Sequence, residues 1–117
     1  MRIWHESLIP NLCQKHLCAM WREGLGCYKI VSKNIHGKEV VRKCYGNHPA
    51  TIEFEKGAMA LWQRLEMVRE EMVKRGYHPK EMPTMPSPYV WWFIVKPWQS
   101  LRKQKAILKA KGCKCKI

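Results

Sequence analysis

The chain has 117 residues, of which 22 are lysine or arginine and nine are acidic, giving a formal net charge of +13. This length suits one domain with a single modest core, and we expect residues 1–117 to form it. The basic excess favours an anionic partner such as nucleic acid, although the same charge is typical of ribosomal or DNA-coating proteins. No apolar run is long enough to cross a bilayer and no signal peptide opens the chain, so we expect no membrane partner.

The first predicted helix begins near Pro10, because a first helical residue does not need the N–H that proline lacks. Gly24 and Gly26 are typical of its end. Apolar residues between them recur at helical spacing and predict a buried stripe: Ile9, Leu12, Cys13, Leu17, Met20 and Trp21.

Four polar residues of this helix form two pairs with the same spacing. His16 and Glu23 are seven residues apart, as are Lys15 and Arg22, so each pair lies on one side of the helix. Cations beside a carboxylate suit a site that handles an anionic backbone and a cationic intermediate. From the residues alone, however, a solvated polar face with one satisfied histidine is the favoured interpretation.

Residues 24–56 contain four glycines and only short apolar runs, which predicts a long and mostly irregular connection. Long loops in compact domains are often functional, and this one carries several cations: Lys29, Lys33, Lys38, Arg42 and Lys43. A second helix is predicted over about residues 51–75, capped by Gly76. Its predicted buried stripe is Ala58, Leu61, Trp62, Leu65, Val68, Met72 and Val73.

The last third of the chain begins with four prolines in residues 79–88, which predict an extended linker. Residues 89–95 are aromatic and apolar; they suit a strand by propensity, but packing across the helices or starting a third helix is the favoured interpretation. Residues 97–111 predict a basic helix with Trp98, Leu101, Ile107 and Leu108 inward. The sequence therefore predicts an all-α, single compact domain of three main helices with long irregular loops.

Six cysteines occur at spacings that match no standard zinc pattern: Cys13, Cys18, Cys27, Cys44, Cys113 and Cys115. Without a secretory signal we expect reduced thiols, with Cys13 and Cys18 in or near the core. A metal site that joins Cys113 and Cys115 to Cys44 or His48 is an open alternative to our expectation of no metal.

The amine of Met1 is a possible nucleophile. An α-amine titrates near ~7.7–8.0, well below lysine, so it can form an imine at neutral pH. Arg2 would lower its pKa further and, being large, should prevent removal of Met1. Every chain has such an amine, and most are inert, so the amine alone indicates nothing.

Several motifs together resemble the pyrimidine-dimer DNA glycosylases, the endonuclease V family of T-even phages and its cellular and viral relatives. The N-terminal motifs are Met1-Arg2-Ile3-Trp4-His5, Leu8-Ile9-Pro10, His16-Leu17 and Trp21-Arg22-Glu23. The later ones are Leu65-Glu66 and Lys74-Arg75-Gly76-Tyr77, which resemble the family's central helix and its ending.

The resemblance implies a DNA-repair glycosylase with abasic-site lyase activity on ultraviolet-induced pyrimidine dimers. Met1 would be the nucleophile that forms an imine at C1′, and Glu23 would assist the β-elimination that nicks the strand. DNA would be bound by Arg2, Lys15, His16, Arg22, Lys29 and Arg42.

The resemblance further implies an N-terminus threaded between the helices and a monomer that acts on damaged double-stranded DNA. It implies no metal and no small-molecule cofactor. We expect the protein in the cytoplasm, associated with the nucleoid through DNA, or as a virus-encoded intracellular protein.

This chain departs from the phage prototype in three places. One is the aromatic-basic tail of the prototype, which has no clear counterpart here, although several aromatic residues could stand in for it: Tyr89, Trp91, Trp92, Phe93 and Trp98. Met1 is bulkier than the small residue that begins the mature prototype. A basic residue after the catalytic glutamate of the prototype falls here at Gly26, so its phosphate contact is missing or passes to Lys29. Two alternatives stay open: a non-catalytic DNA- or RNA-binding module, and a lyase that acts on abasic sites or another base lesion.

Overall fold

The computed structural model describes residues 3–33, 49–54, 57–86 and 99–116. A 3-10 helix comes first, followed by four α-helices in these positions: Glu6–Asn11 (3-10), Gln14–Val31 (α1), Pro49–Phe54 (α2), Ala58–Lys74 (α3) and Leu101–Ala110 (α4). The prediction of an all-α fold with about three main helices is confirmed, and the described ranges contain no strand. The predicted aromatic run over residues 89–95 lies outside them.

Helix α1 begins and ends later than its sequence predicts. Pro10 lies in the 3-10 helix, and α1 starts at Gln14 after an extended Cys13 with φ −71° and ψ 166°. The prediction that Gly24 and Gly26 end the helix is wrong, because both lie inside α1. A Cβ on Gly24 would stand 2.5 Å from Leu65 Cδ2 and 3.3 Å from Ile3 Cδ1. Glycine at this position therefore permits the close approach of neighbouring segments.

The helix predicted over residues 51–75 is two helices. Helix α2 ends at Phe54, and α3 starts at Ala58 after Gly57, whose φ of −147° and ψ of 50° interrupt the helical path. The predicted cap at Gly76 is confirmed: its φ is +86°, and its N–H donates to the Val73 carbonyl at 3.0 Å. Glycine adopts this left-handed conformation without the steric cost of a Cβ.

The core lies mainly between α1 and α3, with the 3-10 helix packed against α3. The predicted stripes are largely confirmed, except that Val73 is 51% exposed and Cys13 and Trp62 are only half-buried. The largest fully buried side chains are Trp4, Phe54, Ile3, Leu8, Leu12, Leu17, Met20, Leu61, Leu65, Leu108, Val31 and Val68.

Arg75, just after α3, holds the segment that precedes α1. Its Nη1 donates to the Leu12 carbonyl at 2.7 Å, and its Nη2 donates to the carbonyls of Pro10 at 3.0 Å and Ile9 at 3.4 Å. Its Nε also pairs with Glu71 at 2.9 Å. One planar guanidinium thus satisfies several carbonyls at the end of the 3-10 helix.

Residues 79–86 are the described part of the predicted extended linker, called the extended segment below, and they form no helix or strand. Side chains from the two long helices bind its carbonyls. Tyr28 donates to Thr84 O at 2.5 Å, and Trp62 Nε1 donates to Pro83 O at 2.9 Å. Hydrogen bonds from α1 and α3 therefore hold this segment against both helices.

Helix α4 is shorter than the predicted span of residues 97–111. Ser100 caps it by accepting a hydrogen bond from Lys103 N at 3.3 Å. Buried Gln104 accepts from His5 N at 2.8 Å, so α4 closes on the beginning of the chain. Among the described helices, none combines the length and the apolar character that a membrane crossing requires.

Candidate active site and DNA-binding surface

Three of the predicted DNA-binding residues lie along the exposed surface of α1. Lys15, Arg22 and Lys29 follow one another at seven-residue intervals, and each is exposed. At the helical rise of about 1.5 Å per residue, this cationic stripe is about 21 Å long. Met1, Arg2 and Arg42 lie outside the described residues.

Glu23 is half-buried in the middle of α1, beside the close packing at Gly24. One turn later lies the buried thiol of Cys27. Burial raises the pKa of this thiol, and the charge of Glu23 raises it further, whereas a hydrogen bond with Thr51 of α2 lowers it. The carboxylate of Glu23 is thus near the face of α1 that meets α2.

Ile3, at the beginning of the described chain, packs against the middle of α1. Its side chain is 1% exposed, and its Cδ1 lies against Gly24, the residue after Glu23. Apolar packing therefore fixes the first described residue against Gly24, which follows the candidate catalytic residue Glu23 in the sequence.

Arg22 borders a groove of about 470 Å³ between α1, the end of α3 and the extended segment. Aromatic and aliphatic groups lie beside cations in its lining, which consists of Cys18, Trp21, Arg22, Leu25, Met72, His78, Pro79 and Lys80. Such a mixture can hold an aromatic ring by stacking and a phosphate by charge.

A second carboxyl group, which the sequence pattern did not indicate, is that of Glu53 in α2, whose side chain is 5% exposed. Burial raises its pKa to about 7, opposed by the charge of Arg64. Its Oε2 has no hydrogen-bond partner within the described ranges. The apolar periodicity of the short helix Pro49–Phe54 did not indicate that Glu53 is buried, because an acidic residue is normally expected on the exposed face.

His16 is 4% exposed, and its ring faces sulfur atoms. Its Nδ1 lies 3.3 Å from Cys13 Sγ and 3.1 Å from Cys115 Sγ, and the Trp4 ring meets it edge-on at 6.1 Å. Burial lowers the pKa of His16, and the charges of Lys111 and Lys15 lower it further. Contact of this residue with DNA stays a prediction.

Cys113 and Cys115 lie beside Cys13 and His16, whereas the metal site left open from the sequence joined them to Cys44 or His48. Cys44 and His48 are outside the described residues. Local spacing could not reveal this cluster, because its two halves are about a hundred residues apart in the sequence.

Comparison with known proteins identifies the family. The model of the family described as pyrimidine dimer DNA glycosylase matches residues 1–85, from the chain start through the extended segment. No curated protein and no solved structure matches the chain. The matched range includes α1 with Arg22 and Glu23, whereas α4 and the cysteines of the tail follow it. The chain belongs to the pyrimidine dimer DNA glycosylase family, whose members are DNA-repair enzymes.

Proposed function

We propose that the protein removes ultraviolet-induced pyrimidine dimers from double-stranded DNA and nicks the strand, with the α-amine of Met1 as nucleophile and Glu23 as the acid–base group. The observation that supports this most directly is the packing of Ile3 on Gly24, next to Glu23. Two residues span at most about 7 Å, so an amine at residue 1 can reach the surroundings of this carboxylate.

The proposed chemistry proceeds in two steps. The neutral amine attacks C1′, the bond from C1′ to the base breaks, and loss of a proton and opening of the sugar give a protonated imine. Glu23 then takes a proton from C2′, and the C3′–O bond breaks, which releases the downstream strand with a 5′ phosphate and leaves an unsaturated sugar on the upstream strand. A carboxylate beside the imine also stabilises its positive charge.

The cationic stripe on α1 supports DNA as the substrate. Lys15, Arg22 and Lys29 can neutralise phosphates on one side of Glu23, and we propose that Arg2 and Arg42 complete the binding surface. The exposed cations of α4 add attraction that does not depend on sequence; they are Arg102, Lys103, Lys105 and Lys109. We propose a monomer that acts where cellular or viral DNA lies inside a cell.

Borohydride trapping on three duplexes tests the proposal. We expect a covalent adduct with dimer-containing and abasic duplexes and none with undamaged DNA. An adduct with the abasic duplex alone would favour a lyase for another lesion, and no adduct at all would favour a binding module.

A second experiment locates the nucleophile. Mass spectrometry first establishes that Met1 begins the purified protein. Extension of the chain by one residue should abolish trapping while the circular dichroism spectrum stays unchanged. Full trapping by the extended protein would move the imine to a lysine and contradict the role of Met1.

A further inference from the structure

Three thiols and one imidazole, brought together from the two ends of the described chain, form a cluster at the start of α1. Their potential ligand atoms, Sγ of Cys13, Cys113 and Cys115 and a ring nitrogen of His16, all lie within 4.8 Å of one another. Cys13 is the N-cap of α1 and His16 lies three residues later, so both lie on one face of its first turn. The other two come from the tail after α4.

We propose that Cys13, His16, Cys113 and Cys115 bind a structural zinc ion that joins the C-terminal tail to the first turn of α1. Three cysteines and one histidine form a common donor set of closed tetrahedral zinc sites. This inference does not rest on the proposed function, and two of its ligands follow the residues that the family model matches.

The distances suit zinc after small shifts of the ligand atoms, which lengthen the sulfur–nitrogen separations slightly and shorten the widest sulfur–sulfur separation. With Zn–S near 2.3 Å and Zn–N near 2.0 Å, a tetrahedral site separates sulfur from nitrogen by about 3.5 Å and two sulfurs by about 3.8 Å. The Nδ1 atom of His16 already lies 3.3 Å from Cys13 Sγ and 3.1 Å from Cys115 Sγ. Two sulfur atoms at 4.8 Å, the upper limit of the distances within the cluster, would have to approach each other by about 1 Å to reach the sulfur–sulfur distance of a zinc site.

The surroundings suit a negatively charged metal centre. Zinc with three thiolates carries a net charge of −1, and each thiol that becomes a ligand releases its proton to solvent. Lys15 and Lys111 both act electrostatically on His16 and can offset this charge. The Cys13 N–H donates to Cys115 Sγ at 3.1 Å, an orientation that stabilises a thiolate.

The tail itself supports the proposal. In residues 111–116 only Cys113 and Cys115 are partly buried, while Lys111, Gly112, Lys114 and Lys116 are exposed. The tail therefore presents sulfur toward the protein and charge toward solvent. Cys13, Cys113 and Cys115 are all free thiols, so each is available as a metal ligand.

A zinc role changes two expectations from the sequence. It replaces the expected absence of metal, and it makes His16 a ligand instead of a DNA contact. The ion would fix the beginning of α1 and take no part in the reaction at Glu23.

Metal analysis of the purified full chain tests the site. We expect one zinc per chain after exhaustive dialysis, retained in Cys18→Ser, whose half-buried thiol lies on α1 outside the cluster, and lost in Cys115→Ser. A zinc content near zero in zinc-supplemented wild-type protein, or one that Cys115→Ser leaves unchanged, would overturn the proposal.

Cobalt substitution keeps the test decisive if Cys115→Ser does not fold. Wild-type protein loaded with Co²⁺ should show the intense thiolate-to-cobalt charge-transfer band and the visible bands of a tetrahedral site. Weak octahedral bands alone, or an intramolecular disulfide found by mass spectrometry under reducing purification, would overturn the site. Because neither measurement involves nicking, failure here is distinct from failure of the proposed enzyme activity.

Discussion

The start and the middle of α1 are held by different kinds of interaction. The start is surrounded by polar contacts from far along the chain: the Arg75 guanidinium, the thiols of the tail and the Lys116 N–H, which donates to Asn11 O at 2.8 Å. The middle is held by apolar packing of Ile3 and Leu65 on Gly24. One helix therefore combines a start that is held by directional hydrogen bonds with a close-packed middle, where the backbone that carries Glu23 is held by apolar contacts.

The largest expected effect lies at the middle of α1. Glu23→Gln should lower single-turnover nicking of a dimer-containing duplex by about 10²-fold or more, because a positioned acid–base group is lost. DNA affinity should hold or rise, because an anion leaves a basic surface. Glu70→Gln, an exposed acid on α3, serves as the control. Normal nicking by the Glu23 variant would remove this residue from the chemistry.

Replacement of Arg75 tests the hydrogen bonds that hold the segment before α1. Arg75→Ala should lower the free energy of unfolding by about 2–4 kcal/mol, because charge-assisted hydrogen bonds to several carbonyls disappear together. Arg69→Ala is the matched control, since its Nε donates to a single exposed carbonyl, that of Lys80, at 2.8 Å. If urea denaturation shows the same loss of unfolding free energy in both variants, the hydrogen bonds of Arg75 do not stabilise the start of α1 in the way proposed.

Gly24→Ala tests the close packing in the middle. Alanine gains about 1 kcal/mol in helix propensity, but overpacking against Leu65 costs about 1–3 kcal/mol, so we expect a small net loss of stability. Nicking should fall as well, because Ile3 must shift. Combining it with Leu65→Val, which removes the crowded Cδ atoms, should show a favourable coupling in a double-mutant cycle. A more stable Gly24 variant with full activity would contradict the steric argument.

Glu53 of α2 makes the free energy of unfolding depend on pH. With its pKa raised from 4.5 to about 7, the folded protein binds this proton more tightly than the unfolded chain does. Below pH 4.5 both states are protonated, and above 7 the folded protein bears a buried charge, so its contribution to stability falls as pH rises between these values. The difference in unfolding free energy between Glu53→Gln and the parent protein should therefore grow in favour of the variant from pH 5 to pH 8. A constant difference would contradict the shift.

The smallest effect is expected on the exposed stripe. Arg22→Gln should reduce the slope of log affinity against log salt concentration by about 0.9, because one phosphate contact is lost. Lys74→Gln removes an exposed cation at the end of α3 and should change the slope much less. Identical slopes for both variants would indicate diffuse attraction in place of a defined contact.

Sequence periodicity located the buried faces of α1 and α3 because the spacing of apolar residues is a local property. It could not distinguish Gly24 from Gly76. Both glycines follow apolar helical segments, but Gly76 adopts a left-handed conformation, whereas Gly24 accommodates Leu65 of another helix. The same limit applies to the cluster at Cys13, since its partners are fixed by tertiary docking of the tail.

The distant contacts at the start of α1 also have a consequence for synthesis on the ribosome. The bond between His5 and Gln104 joins residues 99 apart, and that between Cys13 and Cys115 joins residues 102 apart. Contacts so far apart in sequence form late, because a long stretch of chain must be ordered to close them. The first helical turns leave the ribosome early, but their polar groups can form these hydrogen bonds only after residues near 115 have been synthesised. A nascent chain should therefore gain its α1–α3 core before the beginning of α1 is complete.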